Sequence, residues 1–246
     1  MTQRTLEVEG LANARDLGGI PRSDGSLTPT GVFFRSDNLD RVGPAGWDRL
    51  RHHGITTIVD LRRPDEASGA VPPDIAHLRV DLDGDERAFW DPIEADGRWG
   101  TPLYYLSHLE SLPHRMAGVL AGIAAADPGG VLFHCAGGWD RTGFVSAFLL
   151  RAAGVPASAA TMDYMQSFAN ASAFESLHGR SSHVEMRREI ARRWGHTPET
   201  AFAEMFESLD VHRWFGVANV DEATRRSILS WRGSFTPVKC PGIALR

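Results

Sequence analysis

VLFHCAGGWDRTGFVSAFLL, residues 131–150, decides the fold. Its first residues form a short β-type apolar run. AGGWD breaks that run with two glycines, and from Thr142 to Ala153 the pattern is a strongly apolar helix stopped by Gly154. A buried strand that passes through a glycine-rich loop into a helix is a unit of an α/β sheet. The rest of the chain repeats the alternation. VFFRS (32–36), ITTIVDLR (55–62) and HLRVDL (77–82) read as further strands. Pro44 opens a helix running to His53, the 103–126 segment has apolar residues at helical spacing, and another helix follows from Ala157. The expected fold is α/β, with a central, mainly parallel sheet flanked by helices.

The same loop carries chemistry. Unsatisfied N–H groups at a helix start, together with those of a glycine-rich turn, make a concave cradle for an anion. Gly137 and Gly138 let the backbone turn tightly and approach a ligand closely. Arg141 can clamp two phosphate oxygens through its planar fork. Cys135 stands at the base of the cradle, where helix dipole and arginine favour a thiolate. This pattern places a nucleophile under a tetrahedral anion and points to displacement at phosphorus through a cysteinyl-phosphate. Ala136, Gly137, Gly138, Trp139, Asp140 and Arg141 are the expected phosphate-binding residues. Cys135, Asp140, Arg141 and Thr142 are the expected catalytic ones. Asp140 can protonate the leaving group and then activate water, and the Thr142 hydroxyl can donate to the sulfur when it departs. His134 points away from the ligand and holds the loop.

Bulk properties narrow the class. With 246 residues the chain suits one domain, read as spanning 1–246 with a loop insertion at about 83–101 and a helical, lid-like insertion at about 170–209. A net charge of -5 argues against a nucleic-acid-binding surface. No stretch is apolar for long enough to span a membrane, and the N-terminus lacks the apolar core of a signal peptide. Cys135 and Cys240 do not make a disulfide scaffold, so a reducing, cytoplasmic setting is expected, with export lacking a cleaved signal left open. The histidines are scattered, with neither HExxH nor clustered Cys/His spacing. No metal and no cofactor is expected. The absence of GxxxxGK[ST] excludes a P-loop nucleotide site.

HCAGGWDRTG resembles the HCxxGxDRTG loop of the cysteine-dependent tyrosine phosphatases, in particular the atypical branch known as tyrosine phosphatase family 3. NARDLGG (13–19), RSDNL (35–39), VDLR (59–62) and LLRAAGVP followed by DYMQS (163–167) resemble further motifs of that family, in the same order. The resemblance implies a tyrosine phosphatase-like fold and bacterial tyrosine or dual-specificity phosphatase activity. It also implies that Asp140 replaces the mobile-loop acid of other tyrosine phosphatases, and that Arg15 and Asp16 order the N-terminal loop near the cradle. Trp139 departs from it, because many members carry lysine there. Losing that cation disfavours a multiply phosphorylated inositide and favours a flat aromatic leaving group; packing of Trp139 under a lid is the other reading. A phosphorylated protein or a small phosphoester is the expected partner. The alternatives are the same chemistry on a phosphorylated metabolite or phosphoinositide, or a phosphate-binding module without turnover. Asp81, Asp83, Asp85 and Asp91 follow the third strand, where other tyrosine phosphatases place a general acid. Surface turn chemistry is their first reading and a contributing acid the second. Asp60 with Arg62 reads as a structural ion pair or as residues facing the site.

Overall fold

The computed structural model describes residues 4–66, 69 and 71–236; Cys240 lies outside the described residues. Its sheet has five strands: β1 (Arg15–Asp16), β2 (Phe33–Ser36), β3 (Ile55–Asp60), β4 (Ala76–Arg79) and β5 (Gly130–His134), in the spatial order β1-β2-β5-β3-β4. All pairings are parallel except that of the two-residue edge strand β1 with β2. The chain therefore inserts its last strand between β2 and β3, and the loop leaving β5 opens at the middle of the sheet's carboxyl edge. That crevice is where open α/β sheets bind ligands.

Because successive strand side chains point to opposite faces, the two faces hold separate cores. Phe34, Leu132 and Ile58 pack with Leu6, Val8, Trp47 and Leu50, the last two from α1 (Pro44–His52). Phe33, Val59, Val131 and Phe133 pack into a larger cluster. That face is built from α2 (Arg87–Ala95), α3 (Tyr105–Ser111), α4 (Pro113–Ala125), α5 (Asp140–Ala152) and α6 (Ala157–Ala169), followed by α7 (Ala171–His178), α8 (Val184–Arg193), α9 (Pro198–Ser208), α10 (Val211–Val217) and α11 (Glu222–Leu229). In α5 every residue from Asp140 to Leu150 is buried, as the unbroken apolar pattern requires. Among the described residues no helix is long and apolar enough to cross a membrane.

The expected α/β architecture is present, and helix boundaries fall where Pro44 and Gly154 placed them. Two expectations need correction. The 83–101 segment is not a bare surface loop, because α2 lies within it and buries Trp90 and Ile93. An apolar pair three residues apart, inside a charged helix that carries its own proline, was too short a pattern to read as helix. The 103–126 stretch is divided: a 3₁₀ turn at Pro102–Tyr104 leads into α3, and Pro113 at the start of α4 separates it from α3.

Candidate active site

Backbone carbonyls decide how the loop from Cys135 to Trp139 is held. The Cys135 carbonyl accepts from His134 Nδ1 at 3.1 Å, which puts the ring proton on Nδ1. The Ala136 carbonyl accepts from the Asn38 amide N–H at 3.1 Å and from its side chain at 2.8 Å. Asn13 Nδ2 donates to the carbonyls of Gly137 and Gly138 at 3.2 and 3.0 Å, and Arg35 adds a bond of 2.9 Å to the Gly138 carbonyl. The carbonyls of Cys135 to Gly138 are thus all engaged by neighbouring side chains or amides, an arrangement that suits a loop offering its N–H groups to an anion. Gly138 makes the turn possible. Its φ is +64°, and a Cβ there would lie 2.4 Å from the Ser36 carbonyl oxygen.

The residues behind the cradle are themselves anchored. Arg15 and Arg35 converge on Asp163, at 3.0 and 2.7 Å, and Arg4 joins them from the N-terminal segment. Against the burial that would raise it, these guanidinium groups hold the Asp163 carboxyl well below the usual carboxylate range. Asp37 accepts from the Asn13 amide at 2.9 Å and pairs with His178 of α7 at 2.7 Å. The motifs around Asn13, Arg35 and Asp163 are therefore one buried polar network, and its output is the fixed position of the Gly137–Gly138 carbonyls. Within it Arg35 Nε is buried without a hydrogen-bond partner, while both terminal nitrogens of Arg35 are engaged. Asp16 serves the N-terminal loop by accepting from Gly18 and Gly31.

Cys135, Ala136, Gly137, Trp139, Asp140 and Arg141 all line one cavity of about 530 Å³. Gly138 is outside its wall and acts through the turn. Phe174 of α7 forms part of the wall, with its ring 3.9 Å from the position a Gly137 side chain would occupy, and α8 contributes Met186 and Arg187. The 170–209 segment supplies these residues of the cavity wall from α7, the α7–α8 turn and α8.

Asp140 is buried in the first turn of α5, and its carboxylate accepts from Tyr104 at 2.8 Å and Tyr105 at 3.0 Å. Burial raises its pKa, against the opposing pull of Arg187, the two phenols and Arg141. Arg141 makes a two-pronged pair with Glu66, at 2.5 and 2.9 Å, and its Nε lies 3.5 Å from Asp83. Two of the guanidinium's five N–H donors are thereby fixed, which orients the plane and leaves others for a phosphate. Against its burial, Asp83 and Glu66 keep the Arg141 pKa raised.

Asp83 corrects the surface-turn reading. It is buried, and burial pushes its carboxyl up to about 7, with Arg141 opposing and Asp140, Glu66 and Asp81 adding to the rise. Asp81 does make turn bonds, to the amides of Asp83 and Gly84, and Asp85 and Asp91 are exposed. Asp60 and Arg62 form the expected pair at 2.9 Å. The Thr142 hydroxyl is buried and has no hydrogen-bond partner. Trp139 is only 4% exposed and packs edge-on against Phe168, while the Arg187 guanidinium lies over its ring. It sits beneath α8 and also borders the cavity. Glu66, Tyr104, Tyr105 and Arg187 were not singled out in the sequence. RRPDE reads as a surface turn, the tyrosines as core, and Arg187 as one charge among many on a solvated helix.

A model of the tyrosine phosphatase family matches residues 6–224. The chain belongs to the tyrosine phosphatase family. Its relatives in that family include a Cupriavidus necator protein named as a tyrosine-protein phosphatase, 30% identical over 66% of this chain and 62% of that one. Another is the triple specificity protein phosphatase PtpB of Mycobacterium tuberculosis, 33% identical over 65% of this chain and 68% of that one. The match to the first thus spans less than two thirds of that relative's length. The crystal structure of P. aeruginosa TpbA is similar at a TM-score of 0.40 and 15% identity, over 76% of this chain and 86% of that one. Among the described residues, no group of His, Cys, Asp or Glu side chains is arranged to hold a metal ion.

Proposed function

We propose that this family member is a cysteine-dependent phosphomonoester hydrolase acting on phosphotyrosine, and on phosphoserine or phosphothreonine where the side chain reaches far enough into the cavity. The observation that carries this reading is convergence. A cradle whose carbonyls from Cys135 to Gly138 are all engaged opens on the cavity that Cys135, Asp140 and Arg141 share.

In the first step the Cys135 thiolate attacks phosphorus. The Sγ–P bond forms, the P–O bond to the alcohol or phenol breaks, and Asp140 gives the departing oxygen its proton. Loop N–H groups and Arg141 hold the equatorial oxygens, where charge spreads in the transition state. In the second step Asp140 takes a proton from water as the new O–P bond forms and the S–P bond breaks. The Thr142 hydroxyl, buried without another partner, is available to the leaving sulfur. The raised pKa of Asp140 suits a group that must hold a proton in one step and accept one in the next, and its two phenol partners fix its direction. Aromatic walls from Phe174 and Trp99 favour a flat leaving group. The names of the relatives point to the same class of substrate.

The test is turnover of para-nitrophenyl phosphate and of matched phosphotyrosine, phosphoserine and phosphothreonine peptides, with Cys135→Ser as control. Hydrolysis by the wild type and none by the variant is expected. Retention of near wild-type hydrolysis by Cys135→Ser refutes the mechanism.

A further inference from the structure

The cradle lacks the lysine that the resemblance leads one to expect at position 139, yet the cavity does not lack that positive charge. Arg187, one turn into α8, places its guanidinium 4.9 Å from the centre of the Trp139 ring. It is half-buried, it lines the same cavity as Cys135 and Arg141, and it donates to the carbonyl of Gly100 across the opening. Its Nε is buried without a hydrogen-bond partner. Arg180 and His183, on the turn between α7 and α8, line the cavity beside it.

Among the described residues neither Arg187 nor Arg180 forms a salt bridge, and the Arg187 charge acts on Asp140 only through space. The acidic side chains on the cavity wall, among the described residues, are Glu66 and Asp140. Glu66 is committed to Arg141, and Asp140 to two tyrosines. Trp139 acts here as a platform: its ring face favours a cation above it and so keeps Arg187 over the cavity. A non-glycine residue in the left-handed region, His183 at φ +58°, fixes the turn that starts the helix. A cavity of about 530 Å³ is in the range that holds a whole small ligand rather than a phosphate alone.

We infer that Arg187, flanked by Arg180 and His183, is a second anion subsite on the wall of the catalytic cavity, and that the preferred substrate carries a second phosphate close to the scissile one. The inference rests on the hydrolase reading above. It reverses the expectation that Trp139 turns the site away from multiply phosphorylated substrates, because the cation missing from the loop is supplied by α8.

The experiment compares kcat/KM for 1,3-phenylene bisphosphate and phenyl phosphate, substrates that differ by the second phosphate. The wild type should favour the bisphosphate by roughly tenfold, as one desolvated charge pair provides, and the preference should shrink as salt is raised. Arg187→Gln should bring the ratio to within about twofold of one, whereas Arg187→Lys, which keeps the charge, should hold most of it. Arg180→Gln, on the exposed turn, should lower it in part. A bisphosphorylated inositol headgroup, free in solution and embedded in phosphatidylcholine vesicles, distinguishes a metabolite source from a lipid one. A rate above that of phenyl phosphate in either arm supports the subsite. A wild-type ratio near one in every arm, or a ratio that Arg187→Gln and Arg180→Gln both leave unchanged, overturns it. No hydrolysis of phenyl phosphate at all would instead count against the hydrolase reading.

Discussion

Replacing Asp83 by asparagine takes a buried carboxyl that touches the site only through Arg141 and makes it permanently neutral. In the folded protein this carboxyl titrates at about 7 instead of its ordinary 3.8, because burial penalises its charge more than Arg141 compensates. At about 1.4 kcal/mol per unit, that displacement is worth roughly 4 kcal/mol. The native state therefore binds a proton that the unfolded chain has released between pH 4 and 7. Stability falls as pH rises through that window and becomes level above it. Asp83→Asn removes the slope. Urea denaturation of both proteins at intervals from pH 4 to pH 8.5 should give nearly equal stability at the acid end. At the alkaline end the variant should be more stable by up to about 4 kcal/mol. The same ionisation should appear in catalysis. Above pH 7 a charged Asp83 joins Glu66 in competing for Arg141, so wild-type kcat/KM for an aryl phosphate should carry a declining limb near pH 7 that the variant lacks. A stability difference that does not vary with pH would refute the argument, for it would mean that Asp83 is ionised throughout.

The cradle's own geometry gives further expectations. Gly138→Ala combines a positive φ with a Cβ 2.4 Å from the Ser36 carbonyl oxygen, so it should cost about 3 kcal/mol in thermal or urea unfolding. The displaced loop should lower kcat/KM on the order of a hundredfold. Asn13→Ala leaves the Gly137 and Gly138 carbonyls without their shared amide donor and should weaken vanadate inhibition by about tenfold; an unchanged inhibition constant would deny Asn13 its part in shaping the cradle. Asp140→Asn should slow alkyl and peptide phosphates far more than para-nitrophenyl phosphate, whose leaving group needs little protonation. Equal losses across leaving groups would make Asp140 a structural residue.

What the sequence made legible is local. An apolar run, two glycines and a second apolar run specify strand, turn and helix between Val131 and Ala152 because each part has its own backbone requirement. The cradle and its nucleophile could be read from that stretch alone. The residues that position it are distant in sequence, and their types are ambiguous. Asn13, Arg35 and Asp163 meet only after β1, β2 and α6 have packed, so the resemblance could point to them but their spacing could not. Asp83 follows Asp81 in a run of aspartates and glycines, which in isolation is ordinary turn chemistry; its burial against Arg141 is a product of the fold. Arg187 belongs to a helix so heavily charged that no single arginine stands out, until α8 is laid over Trp139. Tyr104 and Tyr105 contribute apolar rings to the core and hydroxyls to Asp140 at once, and a hydrophobic pattern reveals only the first of these.

The central claim is that phosphate passes through the sulfur of Cys135. Its most direct measurement is peptide-resolved mass spectrometry of the protein acid-quenched during steady turnover of para-nitrophenyl phosphate. The account predicts a phosphorylated species mapping to Cys135, enriched in a variant slowed in the hydrolytic step and absent from Cys135→Ser. Steady turnover with Cys135 unmodified, or turnover that survives in Cys135→Ser, would contradict it.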